Sequence, residues 1–224
     1  GEAIWSQGYS EPNAGSDLSN LGLKAQLDGD QWILNGQKIW TSAGHLADHI
    51  FTLARTDPDA PRHKGISFLL VDMRQPGVEV RPIKMISGES EFNEVFYTDA
   101  VTPKDEVVGG INNGWAVAMT LLGFERGEAA ATLPIRFQAE VDRLFLLAKE
   151  RGVADDPRIR QRLAQAYAKV QIMRFSGMRV LTRFLQGHHP GPDGAISKLY
   201  WSEYHKKVTE LSMSILGAAA LTPS

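Results

Sequence analysis

From Leu21 the chain alternates apolar and polar positions, with Leu21, Leu23, Ala25 and Leu27 on one face and Gly22, Lys24 and Gln26 on the other, the period of a half-buried strand. Asp28-Gly29 follows, then Gln31 to Leu34, then Asn35-Gly36, then Gln37 to Ser42. Asp-Gly and Asn-Gly between strand-like runs are strong hairpin signals, because a type I′ turn needs positive φ at both central residues. The pattern predicts three antiparallel strands here. Further strands are predicted at Ile50 to Arg55, Ile66 to Asp72, Val78 to Ile83 and Glu94 to Tyr97, separated by Asp57-Pro58, Pro61, Pro76-Gly77 and Ser87-Gly88. Such spacing reads as a meander that closes into a sandwich or barrel.

After Gly109-Gly110 the period changes. Gly114 to about Arg151 holds few turn residues and many helix formers, with Pro134 as the one expected kink. Asp156-Pro157 reads as an N-cap and first helical position, and Ile159, Leu163, Ala166, Val170, Met173, Gly177, Val180, Leu181 and Phe184 then mark one helical face. Gly187 to Gly194, with Pro190 and Pro192, reads as a loop, and a third helix carries Ile196, Leu199, Tyr200, Val208, Leu211 and Ile215. The expected fold class is α+β: an antiparallel β-barrel or sandwich over residues 1–111, then an incomplete all-α helical bundle over 112–224. The junction between two such domains is a favoured place for a cofactor.

Composition narrows the function. A net charge of -2 argues against a partner bound mainly through nucleic-acid phosphates. The absence of cysteine excludes disulfides, thiolate zinc sites and thiol nucleophiles. No run approaches the roughly 18 apolar residues of a membrane span. His45 and His49 are four apart, a spacing that aligns ligands only on a helix, and they flank a predicted strand, so no metal site is expected. The chain opens on Gly1 close to strand-like sequence and stops just after an amphipathic pattern, so a piece of a longer protein is expected.

Three stretches carry candidate chemistry. Trp5 to Asp17, WSQGYSEPNAGSD, starts apolar and becomes a polar loop at Gly8. Pro12 extends Glu11, while Asn13 and Gly15 tolerate positive φ, so the turn can present backbone amides to an anion or a planar polar ring; a strand with an ordinary surface turn has the same local pattern. In Lys38 to Gly44, KIWTSAG, Trp40 and Ser42 share one strand face and Thr41 takes the other; a tryptophan on a sheet is also a common core residue. In Leu121 to Arg126, Glu125 has Ala118, Leu121, Leu122, Ala129 and Thr132 as helical neighbours, with Glu128 the only nearby acid on that face. A carboxylate in apolar surroundings becomes a base usable near neutral pH, and an ion pair with an arginine of a neighbouring helix is the structural alternative.

The run Tyr9 to Asp17 resembles, without a gap, the acyl-CoA dehydrogenase pattern of an aromatic or apolar residue followed by Thr/Ser-Glu-Pro-x-Ala-Gly-Ser-Asp, and Lys38 to Gly44 resembles that family's flavin-contacting strand. The resemblance implies FAD as cofactor, with Gln7, Tyr9 and Ser10 against the flavin, Trp40 packed on its ring, and Thr41 and Ser42 offering donors. It also implies Ser16 against the pantetheine arm of an acyl-CoA. Backbone amides, hydroxyls and an aromatic wall are what a hydride-accepting flavin needs, since the reduced ring carries negative charge that donors stabilise. Glu125-Arg126 with Pro134 downstream is similar to a subgroup typified by isovaleryl-CoA dehydrogenase, which implies Glu125 as the catalytic base and Arg126 beside the substrate. Arg151 matches a family arginine that reaches the FAD pyrophosphate of a neighbouring subunit, but Gly152 to Pro157 replaces the usual aromatic-Gly continuation, and Asp155 and Asp156 are poor neighbours for a diphosphate.

The activity implied is α,β-dehydrogenation of an acyl-CoA to the trans-2-enoyl-CoA. Electron-transfer flavoprotein is the implied acceptor, in a homo- or hetero-oligomer of the bacterial cytoplasm or, alternatively, the mitochondrial matrix. Rival readings are an acyl-CoA oxidase, a non-catalytic partner subunit of a mixed oligomer, and an unrelated β-plus-helix binding module without flavin. The early-helix base and the run Ser197 to Glu203 lean towards branched, bulky or sterol side-chain thioesters.

Overall fold

The computed structural model describes residues 1–188 and 193–222, apart from the side chains of residues 126–129 and 193–195. Two compact units emerge, Gly1–Thr120 and Leu121–Ser224.

The first unit is built on one eight-stranded sheet. Its strands are β1 Trp5–Gly8, β2 Lys24–Asp28, β3 Gln31–Ser42, β4 His49–Arg55, β5 Ile66–Asp72, β6 Val78–Pro82, β7 Phe92–Pro103 and β8 Val107–Val108. The order is β6-β7-β3-β2-β4-β5-β8, with β1 beside β4. Neighbours are antiparallel except β1 with β4 and a single parallel step, Lys24 to Arg55, between β2 and β4. The sheet is therefore mixed, and the predicted order of a β unit before a helical unit stands. Leu23, Ala25, Trp32, Leu34, Ile50 and Leu69 are among the residues of its core.

Two turn expectations diverge. Asp28 pairs with Gln31 across a two-residue loop, as the first Asp-Gly signal requires. Its central residues are Gly29 and Asp30, however, and only Gly29 has positive φ, the type II′ pattern rather than type I′. Asn35-Gly36 is no hairpin at all. β3 runs unbroken through it, and the β3–β7 register shifts between Leu34 and Gly36. A 12-residue β7 lies alongside the whole length, and Asn35 exchanges two hydrogen bonds with Asp99, one to the carboxylate at 2.9 Å and one from its backbone N–H at 3.0 Å. Gly36, at φ +146°, admits the close approach of Leu23, whose Cα would stand 3.0 Å from an added Cβ. The signal was that of a bulge with tight backbone contact. β7 is also longer than its predicted core, and β8 was not anticipated.

The chain then enters α1, Gly114–Glu150, which continues through Pro134, and the division between units falls within this helix. α2 spans Pro157–Leu185 and α3 Asp193–Leu216. Phe137, Val141 and Ala148 of α1 share a core with Leu163 and Val170 of α2 and Tyr204 and Leu211 of α3. The predicted α2 stripe is buried from Ile159 to Gly177, but Leu181 and Phe184 are exposed. Of the predicted loop, Gly187 has positive φ and Asp193-Gly194 already belong to α3, while residues 189–192, Pro190 and Pro192 included, lie outside the described residues. Among the described residues no helix is long and apolar enough to cross a membrane.

Asp156 caps α2 as expected. Its Oδ1 accepts the Arg158 N–H at 2.8 Å, and hydrogen bonds from Arg158 hold its carboxyl below the usual carboxylate range. Asp156→Ala is expected to destabilise the helical unit and lower its urea midpoint, since the cap satisfies a first-turn N–H. A urea titration followed by helical circular dichroism measures it, and an unchanged midpoint would show that the cap is dispensable.

Candidate functional site

The two motif stretches of the first unit meet. Ile39 N–H donates to the Ser10 carbonyl at 2.9 Å, Lys38 Nζ donates to the Tyr9 carbonyl at 3.1 Å, and Ser6 Oγ donates to the Ser42 carbonyl at 2.9 Å. The loop between β1 and β2 is thus fastened along the end of β3. Glu11 and Ala14 exchange backbone hydrogen bonds at 2.9 and 3.0 Å, closing the Pro12-Asn13 turn. Ser16 is exposed just beyond it.

Trp40 is the notable side chain. It is 57 % exposed, has φ +61°, and meets Phe92 edge-on at 6.1 Å between ring centroids. Left-handed φ is rare for a bulky residue and is held only where the surroundings impose it. Here they do: the β3–β7 register shifts between Lys38 and Thr41, and Ala43 is left-handed as well. The buried Asn93 side chain holds the bulge, donating from Nδ2 to the Thr41 carbonyl at 2.9 Å and placing Oδ1 3.2 Å from His45 Nδ1. Thr41 is fully buried, and its Oγ1 has no hydrogen-bond partner among the described residues. Ser42 is exposed. The alternation of Trp40 and Ser42 outward with Thr41 inward therefore survives the bulge.

Gln7 is half-buried on β1 opposite Phe51 of β4, and Ser10 is half-buried at the loop's start. The Tyr9 ring is buried edge-on against Phe51 and Phe68, so its part in the loop's contacts with β3 is played by its backbone carbonyl.

Glu11 and Lys38, one in each motif stretch, have a structural role that residue type alone does not announce. Lys38 is fully buried, and its Nζ lies 2.8 Å from Glu11 Oε1. Glu11 also accepts the Gly22 and Leu23 backbone N–H groups at 2.6 and 2.9 Å. Burial pushes the Lys38 ammonium down to about 8, against the attraction and hydrogen bond of Glu11. Strand parity held the clue: Lys38 falls on the same face as the buried Trp32 and Leu34, where an unpartnered charge is not tolerated.

In the helical unit Glu125 lies on α1 with its side chain exposed, so the apolar setting expected of it is not supplied by its own helix. The side chain of Arg126 lies outside the described residues. Arg151 is exposed just after α1. The two acids that follow it are engaged locally, Asp156 as the α2 cap and Asp155 with Arg160 at 3.8 Å. Among the described residues no cluster of three or more His, Asp or Glu has the arrangement of a metal site.

Residues 6–100 match the family described as acyl-CoA dehydrogenase, middle domain, and residues 112–224 match acyl-CoA dehydrogenase, C-terminal domain. The acyl-CoA dehydrogenase IpdE1 of Mycobacterium tuberculosis is 46% identical over 222 residues, covering 98% of this chain and 56% of its own length. The solved Tcur3481-Tcur3483 steroid ACAD superposes with a TM-score of 0.92 at 35% identity, over 99% of this chain and 57% of that one. The ChsE4-ChsE5 complex from Mycobacterium tuberculosis gives 0.86 at 30% identity, over 99% and 58%. The chain thus spans just over half the length of each of these relatives. With both matched domains in order along it, the chain belongs to the acyl-CoA dehydrogenase family.

Proposed function

We propose that the protein catalyses FAD-dependent α,β-dehydrogenation of an acyl-CoA thioester to the trans-2-enoyl-CoA, with a bulky, sterol-derived acyl group as the preferred substrate class. The observation that carries the reading is Trp40, an exposed indole held in a strained backbone conformation beside the Ser10 loop. Strain of this kind costs on the order of 1–3 kcal/mol and is kept where function uses it.

The residues fit FAD. Trp40 offers a flat apolar wall, Thr41 Oγ1 is a buried hydroxyl with hydrogen-bonding capacity to spare, and the Ser10 and Ser42 segments bring further polar groups alongside. When bound, FAD supplies the two-electron acceptor for a hydride leaving the β-carbon. Gln7, Ser10, Thr41 and Ser42 would hold and orient the ring while Trp40 excludes water from one face, with Tyr9 acting through its backbone. Ser16, at the exposed end of the loop, would bind the thioester's pantetheine arm, and Arg126 would bind the substrate. Glu125 takes the α-proton onto its carboxylate as the β-hydrogen departs with its electron pair, which leaves the new double bond. Arg151 would reach the cofactor's pyrophosphate, and electron-transfer flavoprotein would reoxidise the enzyme.

A partner-subunit role is the second reading. The Tcur3481-Tcur3483 and ChsE4-ChsE5 relatives are named as pairs of chains, and this chain's Asp155 and Asp156 follow the arginine assigned to the diphosphate. Co-purification with a sister chain, together with full activity after loss of Glu125, would favour it.

Anaerobic titration of the full-length protein with straight, branched and sterol-derived thioesters tests the main reading through bleaching of flavin absorbance. Bulky thioesters are expected to bleach it, and turnover of straight chains alone would sink the substrate class. Trp40→Gly is expected to weaken FAD binding about 10- to 100-fold, since an aromatic wall is worth a few kcal/mol. It should change the stability of the apoprotein by no more than about 1 kcal/mol, because Gly relieves the left-handed strain while loosening the unfolded chain. Undiminished FAD affinity in that variant would remove Trp40 from the site.

A further inference from the structure

One buried ion pair joins the two stretches that carry the flavin-facing residues. We infer that Lys38 and Glu11 are positioning residues that fix the Ser10 loop and the Trp40 bulge in the mutual register FAD binding requires; this rests on the flavin reading above and adds a device that acts through other residues.

The connections converge on Glu11. Its Oε1 receives Lys38 Nζ at 2.8 Å and Leu23 N–H at 2.9 Å, and its Oε2 receives Gly22 N–H at 2.6 Å. Glu11 thereby ties the loop to the entry of β2, which pairs along β3. Lys38 reaches back to the Tyr9 carbonyl at 3.1 Å, directly before Ser10, and it stands two residues ahead of Trp40 at the edge of the bulge. The next residue, Ile39, donates its N–H to the Ser10 carbonyl. The loop, the start of β2 and the bulged strand are thus held to one another at a single point.

Stability alone does not explain a charge buried here. Taking a lysine out of water is expensive, and an apolar pair of similar volume commonly stabilises a core as well or better. An apolar pair has no directional preference, however, so the loop would be free to slide along β3. Each bond of the ion pair has one geometry, and together they admit one register. The charged groups acting on the pair are few: Glu11 on Lys38, and Arg55 from β4, which itself feels Asp57, on Glu11. The residue opposite Lys38 on β7 is the apolar Val95.

The test measures FAD affinity, visible circular dichroism of the bound flavin and apoprotein melting for the full-length protein and for Lys38→Met, Glu11→Gln and the double variant. Each single variant is expected to bind FAD about tenfold more weakly with an altered flavin dichroism. The double variant should be no worse than either single one, as for two members of one unit. Lys38→Arg, which keeps the charge, should recover part of the affinity. Native affinity and dichroism in folded variants would overturn the inference, as would losses that add in the double variant and merely follow melting. Should the variants not fold, wild-type FAD affinity from pH 7 to 9.5 decides. It is expected to fall with a midpoint near 8 as Lys38 loses its proton, and a flat profile would overturn the role. A wild-type protein that binds no FAD at any pH defeats the flavin reading and this inference together, whereas an FAD-loaded wild type with indifferent variants defeats the inference alone.

Discussion

Glu125→Gln is expected to lower acyl-CoA dehydrogenation about a thousandfold while FAD remains bound, the middle of the range for loss of a general base. Glutamine keeps the length and shape of the side chain but has no basic oxygen to receive the α-proton. The two residues have nearly equal helix propensity, and Glu125 is exposed on α1, so the fold has no reason to respond. The fall should therefore appear in turnover with little change in melting temperature or flavin content. Single-turnover bleaching of the flavin by a thioester isolates the step. Bleaching at the wild-type rate would place the base elsewhere in the protein and would strengthen the partner-subunit reading if a sister chain co-purified.

Most of the fold is legible in the sequence because its signals are local. Alternation from Leu21 to Ala25 marks the buried face of the region entering β2, and Ile66 to Asp72 is recovered with its observed bounds. Asp156-Pro157 announces the start of α2 through capping chemistry that depends on a few neighbouring residues. Failure begins where a distant segment decides. Asn35-Gly36 has the composition of a hairpin, but β7 pairs with β3 on both sides of it and Asp99 engages Asn35, so the chain stays extended. Leu27 belongs to the apolar register, yet it sits one pair from the turn of the β2–β3 hairpin and stays exposed. At the site, residue types revealed Trp40, Thr41 and Ser42 as a group, whereas the left-handed backbone of Trp40 and its Asn93 support arise from a register shift against β7 that no local pattern encodes. Glu11 and Lys38 stood in plain view within both motifs, and only their convergence shows that one serves the other.

The same dependence on distant partners makes Gly177 a sensitive position of the helical unit. It lies in the buried stripe of α2, where the sequence offers a glycine among Val170, Met173 and Val180 without a local reason. A Cβ at this position would fall inside the carbonyl oxygen of Ala130 on α1 and 3.1 Å from its carbonyl carbon. Those atoms belong to the backbone of a long helix and have nowhere to move. Gly177→Val is therefore expected to destabilise the helical unit by about 3 kcal/mol or more, at or beyond the upper end for overpacking, because the clash is with main chain rather than a side chain able to change rotamer. Gly177→Ala should also destabilise, although alanine is favoured over glycine in a helix by about 1 kcal/mol. Gly123 of α1 supplies the contrast: nothing lies within 4 Å of a Cβ built there, so Gly123→Ala is expected to stabilise by about 0.5–1 kcal/mol. One substitution thus carries opposite signs in two helices. Urea titrations of the two alanine variants read the difference directly, and equal stabilisation by both would mean that α1 and α2 do not cross backbone to backbone at Ala130.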